Sequence, residues 1–271
     1  MYKMKFRDVE VNFQAVCGNY TFEWLEQIAM HEWEPDTVSF VENNSNIDTF
    51  FVDIGASIGI FSLISASLGS SVCSYEPVDP EFETLIKNLA ANPNFSNRVK
   101  AYKIALGNEA VALKSVDFKE FKYTDTISEI NFAQGRQVQL IAINAFAEEA
   151  GTWGDLANGK YIVLKMDIEG AEYPILLENI NLLALKQIKA KCLVAFHPGA
   201  IRPHKIRTPV IARLAFELFK FRNRVDAKRI FSGITKHQGV IMRTNYERVV
   251  SQKSFAKLID LGILEFIIDF S

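Results

Sequence analysis

The chain of 271 residues is short of cysteine, of long apolar runs and of net charge, and each shortage narrows what it can be. Its three cysteines, Cys17, Cys73 and Cys192, are odd in number and widely spaced, with no Cys-x-x-Cys pair to hold zinc or run dithiol chemistry. A reducing cytoplasm suits such usage. Only Phe50 to Leu68 approaches the length of a membrane span, and Asp53 inside it would cost about 2.5–3.5 kcal/mol in a bilayer while four serines dilute the rest. No transmembrane helix is expected, although Gly55-x-x-x-Gly59 matches a helix-dimer spacing. The N-terminal MYKMKFRDVEVNF lacks the apolar core and cleavage site of a signal peptide, so it is expected to stay on the mature protein. The formal net charge of -2 hides a basic stretch, Lys186 to Lys253, in which Glu217, Asp226 and Glu247 are the acids. That stretch either faces an anionic partner or is a solvated basic face.

What remains is 49% hydrophobic, without internal repeats or low-complexity segments, and large enough for one sizeable core. A strand-like N-terminal run precedes short helices expected at Thr21 to Met30 and from Pro35 to Val41. Strands are expected at Thr49–Ile54, Ser71–Tyr75, Val99 to Leu106, Tyr161–Met166 and Cys192 to Phe196, with two more, Val111 to Phe121 and Val138 to Ile143, around a polar excursion from Tyr123 to Arg136. Helical spacings alternate with them: Ile60, Phe61, Ile64 and Leu68; Phe82, Leu85, Ile86 and Leu89 behind the start signal Asp79-Pro80-Glu81, with Asp79 as its cap; Leu176, Leu177, Ile180 and Leu183. Thr208-Pro209 opens an amphipathic helix with Ile211, Leu214, Leu218 and Phe221. Arg229 to Ile234 and Val240 to Arg243 read as a hairpin, and the tail as a helix near Phe255 to Leu261 followed by a strand, Ile263 to Phe270. Alternation of this kind predicts a mostly parallel sheet with helices on both faces.

In such a sheet, ligands bind beyond the C-terminal strand ends, where the strand order reverses. Those ends carry Asp53-Ile54-Gly55-Ala56-Ser57-Ile58-Gly59, Glu76-Pro77, Ala105-Leu106-Gly107-Asn108, Asp167-Ile168-Glu169-Gly170 and His197-Pro198-Gly199. Gly55 and Gly59 permit a sharp turn and a close ligand, and Glu76 stands where a carboxylate can take both hydroxyls of a ribose. A dinucleotide would want the Gly-x-Gly-x-x-Gly loop, which is missing, and its pyrophosphate would be repelled by Asp53. The cationic S-adenosylmethionine would instead be attracted. Either acid could also do no more than cap the following helix.

The pieces DIGASIGIFSL, YEPVDPEFETLIKNLAAN, IALGN and LKMDIEGAEYPIL follow in order from roughly Phe50 to Leu177, and together they resemble the FkbM-type family of S-adenosylmethionine-dependent methyltransferases. FEW…HEWEPDT, Phe22 to Thr37, is similar to the helical extension that precedes that fold. The resemblance implies an α/β, Rossmann-like class I methyltransferase fold with a mostly parallel seven-stranded sheet. Residues 1–48 would form the extension, and 49–271 the catalytic domain with a basic insertion around 200–250. It further implies S-adenosyl-L-methionine as cofactor: Asp53, Gly55 and Gly59, with Ala56 and Ser57 between them, along its methionine part, Glu76 at the ribose, and Ala105, Leu106 and Gly107 beside the adenine. Two departures stand out: Ser57 occupies a place that is often Asn, and Ile143-Asn144-Ala145 replaces a Leu-Asp-Asp-like run.

By the same resemblance the methyl passes to a hydroxyl oxygen of a sugar, glycan or secondary metabolite, and the basic stretch raises an anionic, phosphorylated or nucleotide-linked acceptor. His197 is the first choice of base, since its ordinary pKa lies nearest neutrality. Asp167 is expected to touch the cofactor's methionine end, and Glu169 to orient the acceptor or cap the next helix. The histidines show no metal-ligand spacing, and no metal is expected. The scattered Trp24, Trp33 and Trp153 read as packing rather than as a stacking platform for nucleic acid. A non-catalytic binding or scaffold protein that kept the fold is the alternative reading.

Overall fold

A computed structural model describes residues 1–6, 8–18, 20–116, 139–168, 171–186, 188–196, 209–261 and 265–271. At its centre lies β3, Thr49–Ile54, an aromatic and β-branched run buried along its whole length. Such a run is what a strand covered on both faces requires. On one side it pairs in parallel with β4, Ser71–Tyr75, which pairs in turn with β5, Val99–Tyr102. On the other lie β9, Tyr161–Met166, and β10, Lys191–Ala195, both parallel to it. The final strand β12, Glu265–Asp269, inserts antiparallel between β10 and β11, Val240–Arg243. The order is β11-β12-β10-β9-β3-β4-β5. This is the Rossmann-like methyltransferase arrangement, and its strand order reverses between β3 and β9.

Alternate residues of β3 enter two cores. Phe50, Val52 and Ile54 pack toward α5 (Phe146–Ala157), α6 (Glu172–Leu183), α7 (Pro209–Lys236) and α8 (Gln252–Asp260). Phe51 packs toward α3 (Ile60–Ser67) and α4 (Asp79–Ala90). The second core is completed by the hairpin β1 (Tyr2–Phe6) and β2 (Val9–Phe13) with α1 (Phe22–Ala29) and α2 (Pro35–Asn44), through Met4, Phe13, Leu25 and Val41. Thr21 caps α1 by accepting from the Trp24 N–H at 3.1 Å.

The extension is also tied down by polar contacts. Asn88 Oδ1 accepts from the Gln14 and Ala15 N–H groups at 3.0 and 2.9 Å, while Asn88 Nδ2 donates 3.1 Å to Ile58 O in the glycine loop. One turn later Asn92 exchanges two bonds with the Asn12 backbone. A fully buried side chain thus couples the N-terminal segment to the loop that follows β3.

Several sequence expectations change. The run Val99 to Leu106 is two strands, because the chain leaves the main sheet after Tyr102 and β6, Ala105–Gly107, pairs in parallel with β8, Gln139–Ala145, in a separate three-stranded sheet with β7, Val111–Val116. Asp79 is no cap: α4 starts from Val78, and Asp79 pairs with Lys103 instead. Arg229 to Ile234 belongs to α7 rather than to a hairpin, its Ala227, Ile230 and Ile234 spaced to enter the core. On the same helix Phe221 is exposed. There Arg224 pairs with Asp260, while Arg222 and Arg229 flank Asp226. The excursion Tyr123 to Arg136 lies outside the described residues. Among those described, no helix is long and apolar enough to cross a membrane.

Candidate active site

The strand order reverses between β3 and β9, and the crevice beyond the C-terminal ends of those strands is where an open α/β sheet takes its ligands. Gly55, at φ +82, follows β3, and a Cβ there would stand 2.0 Å from Asp167 O. Only glycine allows the two strand ends to lie this close. Ser57 also takes a left-handed conformation, at φ 50, and Gly59, at φ 88, leads into α3. Four of the loop's N–H groups are spent within the protein. Those of Gly55 and Ala56 donate to Tyr75 O at 3.0 and 3.1 Å, that of Gly59 to Ala56 O at 2.9 Å, and that of Ser57 to Glu76 Oε2 at 2.8 Å.

Glu76 also accepts from the Val78 N–H through Oε1 at 2.8 Å. A carboxylate offers about four lone-pair positions, so two remain. Burial pushes its pKa up to about 7 against the opposing effect of those two N–H groups.

Behind the loop, Asp53 is fully buried on the α3 face. Its Oδ2 accepts from Ser62 Oγ at 2.6 Å, and Ser62 is 2.7 Å from Ser74 Oγ. Oδ1 makes no hydrogen bond and lies 3.8 Å from Lys165 Nζ. That ammonium is also 3.5 Å from Asp167 Oδ2, 3.4 Å from Gly55 O and 5.3 Å from the centre of the Phe61 ring. Burial disfavours the charge of Lys165, but Asp167, Asp53 and Glu34 more than offset it, so the lysine stays cationic. Asp53 is pushed up by burial, with Lys165 and Ser62 opposing.

Three groups here were not singled out from sequence. Lys165 interrupts the apolar run Tyr161–Met166, which was the signal available for it. Glu34 comes from the extension, at the N-cap of α2 with φ 46, and accepts from Trp33 Nε1 at 3.1 Å. Glu265, opposite Ala195 at the start of the reversed strand β12, lies 3.4 Å from the Thr37 hydroxyl. Burial first, then Glu34, Asp167 and Asp36, push Glu265 up to about 7. The order of the chain says nothing of these meetings, since residues 34, 165 and 265 come together only through the sheet.

Of the residues expected at the site, Gly55, Ala56, Ser57, Gly59, Glu76 and Asp167 lie together at these strand ends, while Asp53 is buried behind the loop. Ala105, Leu106 and Gly107 form β6, with Leu106 buried in the core that holds Tyr75 and Trp153. Glu169 and His197 lie outside the described residues. Glu172, from the same DIEGAE run, is fully buried and accepts from the Ile168 N–H at 3.0 Å, which ties the turn after β9 to the start of α6. Trp153 is core, its Nε1 donating to Tyr75 Oη at 3.1 Å.

Comparison with known proteins places these residues in a family. The Methyltransferase FkbM domain matches residues 53–217, more than half of the chain. Among curated proteins none matches. One similar solved structure is a methyltransferase FkbM from Methylobacillus flagellatus, 17% identical over 94% of this chain and 56% of that one, with a TM-score of 0.39. Another is an S-adenosylmethionine-dependent methyltransferase from Agrobacterium tumefaciens, at 9% identity, 76% and 54% coverage, and a TM-score of 0.36. A third is geranyl diphosphate C-methyltransferase from Streptomyces coelicolor, solved with Mg2+, geranyl diphosphate and S-adenosyl-L-homocysteine, at 9% identity, 99% and 91% coverage, and a TM-score of 0.41. The chain spans little more than half the length of the first two. At such identities and scores the assignment rests on the domain match, which begins at Asp53 and takes in the glycine loop, Glu76 and Asp167. The chain belongs to the FkbM family of methyltransferases, whose cofactor is S-adenosylmethionine.

Proposed function

We propose that the protein transfers the methyl of S-adenosylmethionine to a hydroxyl oxygen of a small, sugar-like or secondary-metabolite acceptor. One observation carries the cofactor half of this reading: the N–H groups of Gly55, Ala56, Ser57 and Gly59 are all spent on internal acceptors, while acids crowd the crevice. A pyrophosphate needs free N–H donors and meets repulsion from carboxylates. A sulfonium with an ammonium meets neither obstacle. The fit extends to Glu76, whose two remaining acceptor positions suit two ribose hydroxyls.

When bound, S-adenosylmethionine supplies an electrophilic methyl on sulfur. The residues do the rest. Asp167, braced by Lys165 and by Asp53 buried behind the loop, holds the methionine end, and Gly55 and Gly59 shape the loop by letting Asp167 O and Leu85 pack against it. Ala105, Leu106 and Gly107 line the adenine side. The acceptor's proton goes to a group beyond β10 or at the start of β12: His197, aided by Glu169, or Glu265, which shares the crevice with Asp167. In-line transfer needs alignment more than force, so these groups chiefly position the oxygen and remove its proton.

Calorimetric titration tests the reading. Wild type binds S-adenosylmethionine saturably and ignores NAD, whereas an Asp53→Ala, Glu76→Ala double variant, shown folded by thermal melting, binds neither. Wild-type protein that is folded yet silent toward S-adenosylmethionine would sink the proposal. The pH dependence is a second check. Ionised Glu76 is the form that accepts ribose hydroxyls, so affinity rises by about five- to tenfold from pH 6 to 7.5. The unliganded protein moves the other way: Glu76 binds its proton more tightly folded than unfolded, so stability falls as pH rises from about 4.5 to 7.

A further inference from the structure

One amide on α4 bonds both the N-terminal segment and the glycine loop. Asn88 is fully buried, with its Oδ1 accepting from the Gln14 and Ala15 N–H groups at 3.0 and 2.9 Å and its Nδ2 donating to Ile58 O at 3.1 Å. Two donors on one side and an acceptor on the other need a group that is both. An aspartate of the same shape lacks the donor, and a leucine lacks both functions. Asn92, one turn later, offers a contrast. It exchanges bonds of 2.8 and 2.7 Å with the Asn12 backbone and donates to Asn88 O at 2.8 Å, and among the described residues it makes no bond to the loop.

The Ile58 carbonyl sits at the point where the loop is most strained. Ile58 lies between two left-handed residues, Ser57 at φ 50 and Gly59 at φ 88. A serine in that conformation persists only where its surroundings over-determine it. The peptide joining Ile58 to Gly59 is pinned at both ends, its carbonyl on Asn88 Nδ2 and its N–H on Ala56 O at 2.9 Å. Within the turn so closed, the Ser57 N–H reaches Glu76 Oε2 at 2.8 Å. Ile58 is fully buried, so its carbonyl, stripped of the amide donor, must stay unpaired or rotate toward water. Rotation opens the turn and takes the Ser57 N–H off Glu76. We propose that Asn88 is a positioning residue for the cofactor loop, so that docking of residues 14 and 15 and binding of S-adenosylmethionine support each other across its amide. This rests on the S-adenosylmethionine reading above. The planar amide serves both sides at once, and releasing the N-terminal segment frees it to turn away from Ile58. Such coupling is reciprocal: a cofactor that needs the closed turn also tightens the segment.

The test needs no methyl acceptor. Wild type, Asn88→Ala, Asn88→Asp and Asn92→Ala are melted and titrated with S-adenosylmethionine. Asn88→Ala should lose about tenfold in affinity, the scale of one orphaned buried carbonyl. Asn88→Asp keeps an oxygen for the Gln14 and Ala15 N–H groups but sets another against Ile58 O, so it should lose at least as much. Asn92→Ala loosens the same segment and melts lower, yet should bind within about twofold of wild type, since its bonds bypass the loop. Hydrogen exchange on wild type reads the coupling from the other side and depends on no variant folding: saturating S-adenosylmethionine should slow exchange of the Gln14 and Ala15 N–H groups by about tenfold. Wild-type affinity in Asn88→Ala overturns the proposal. So does an equal loss in Asn92→Ala, which would mean general loosening, or exchange at residues 14 and 15 that ignores the cofactor. Wild type that does not bind S-adenosylmethionine removes the cofactor reading and this proposal together, an outcome distinct from the others.

Discussion

Gly55→Ala abolishes cofactor binding and lowers the melting temperature by at least about 6 °C, the largest effect expected of any single methyl group in this chain. The residue sits at φ +82, where an alanine costs roughly 1–2 kcal/mol. Its Cβ would lie 2.0 Å from Asp167 O and 3.0 Å from Asp167 C. Both are backbone atoms, so no rotamer change relieves the overlap, and β3 and β9 must separate at the point where the strand order reverses. Alanine at Gly151, a helical position with open space around it, is the matched control and should be neutral or stabilising by up to about 1 kcal/mol. Gly59→Ala is intermediate, because its Cβ would meet a side chain, Leu85 Cγ at 3.0 Å, that can give way. Melting curves and S-adenosylmethionine titrations of the three variants decide the matter. A Gly55→Ala protein that melts and binds like wild type would mean that the two strand ends do not meet as described.

Lys165→Met should destabilise by about 3–5 kcal/mol at neutral pH, the usual penalty for stripping one partner from a buried ion pair. The variant leaves Asp53 fully buried with the Ser62 hydroxyl bond and no cation. Its pKa, already raised by burial with Lys165 opposing, must climb further once that opposition is gone. The sign follows from proton binding: a carboxyl whose folded pKa exceeds its unfolded value holds its proton more tightly when folded. Stability is therefore greatest below the unfolded pKa and declines as pH rises toward the folded one. Chemical denaturation of Lys165→Met should show recovery on acidification from pH 7 to 5, relative to wild type. Adding Asp53→Asn should restore a large part of the loss at pH 7, giving a coupling energy that simple packing damage would not produce. If the two substitutions add without coupling, the Asp53–Lys165 interaction is not what holds this part of the sheet.

Much of this architecture was legible because its signals are local. The aromatic and β-branched run of β3, the glycines after it, the Pro35 and Asp79-Pro80 helix starts and the strand alternation each depend on neighbours a few residues away. Where competing local signals met, the reading went astray. Val99 to Leu106 reads as one apolar strand, yet pairing with β8 draws its last residues into another sheet. Arg229 to Ile234 reads as one arm of a hairpin, yet α8 and the sheet present a surface that buries it as part of α7.

The sequence by itself determined the family, the order of strands and helices, and the presence of acids at the ends of β3, β4 and β9, because hydrophobic period and turn chemistry are written in adjacent residues. Tertiary structure alone decided what those acids face. It set Lys165 between Asp53 and Asp167, turned Glu76 onto the Ser57 and Val78 N–H groups, and brought Thr37 and Glu265 together from the two ends of the chain. Charge and hydrogen-bond energies depend on distance and burial, and residues 53, 165 and 265 acquire neither until the sheet has closed.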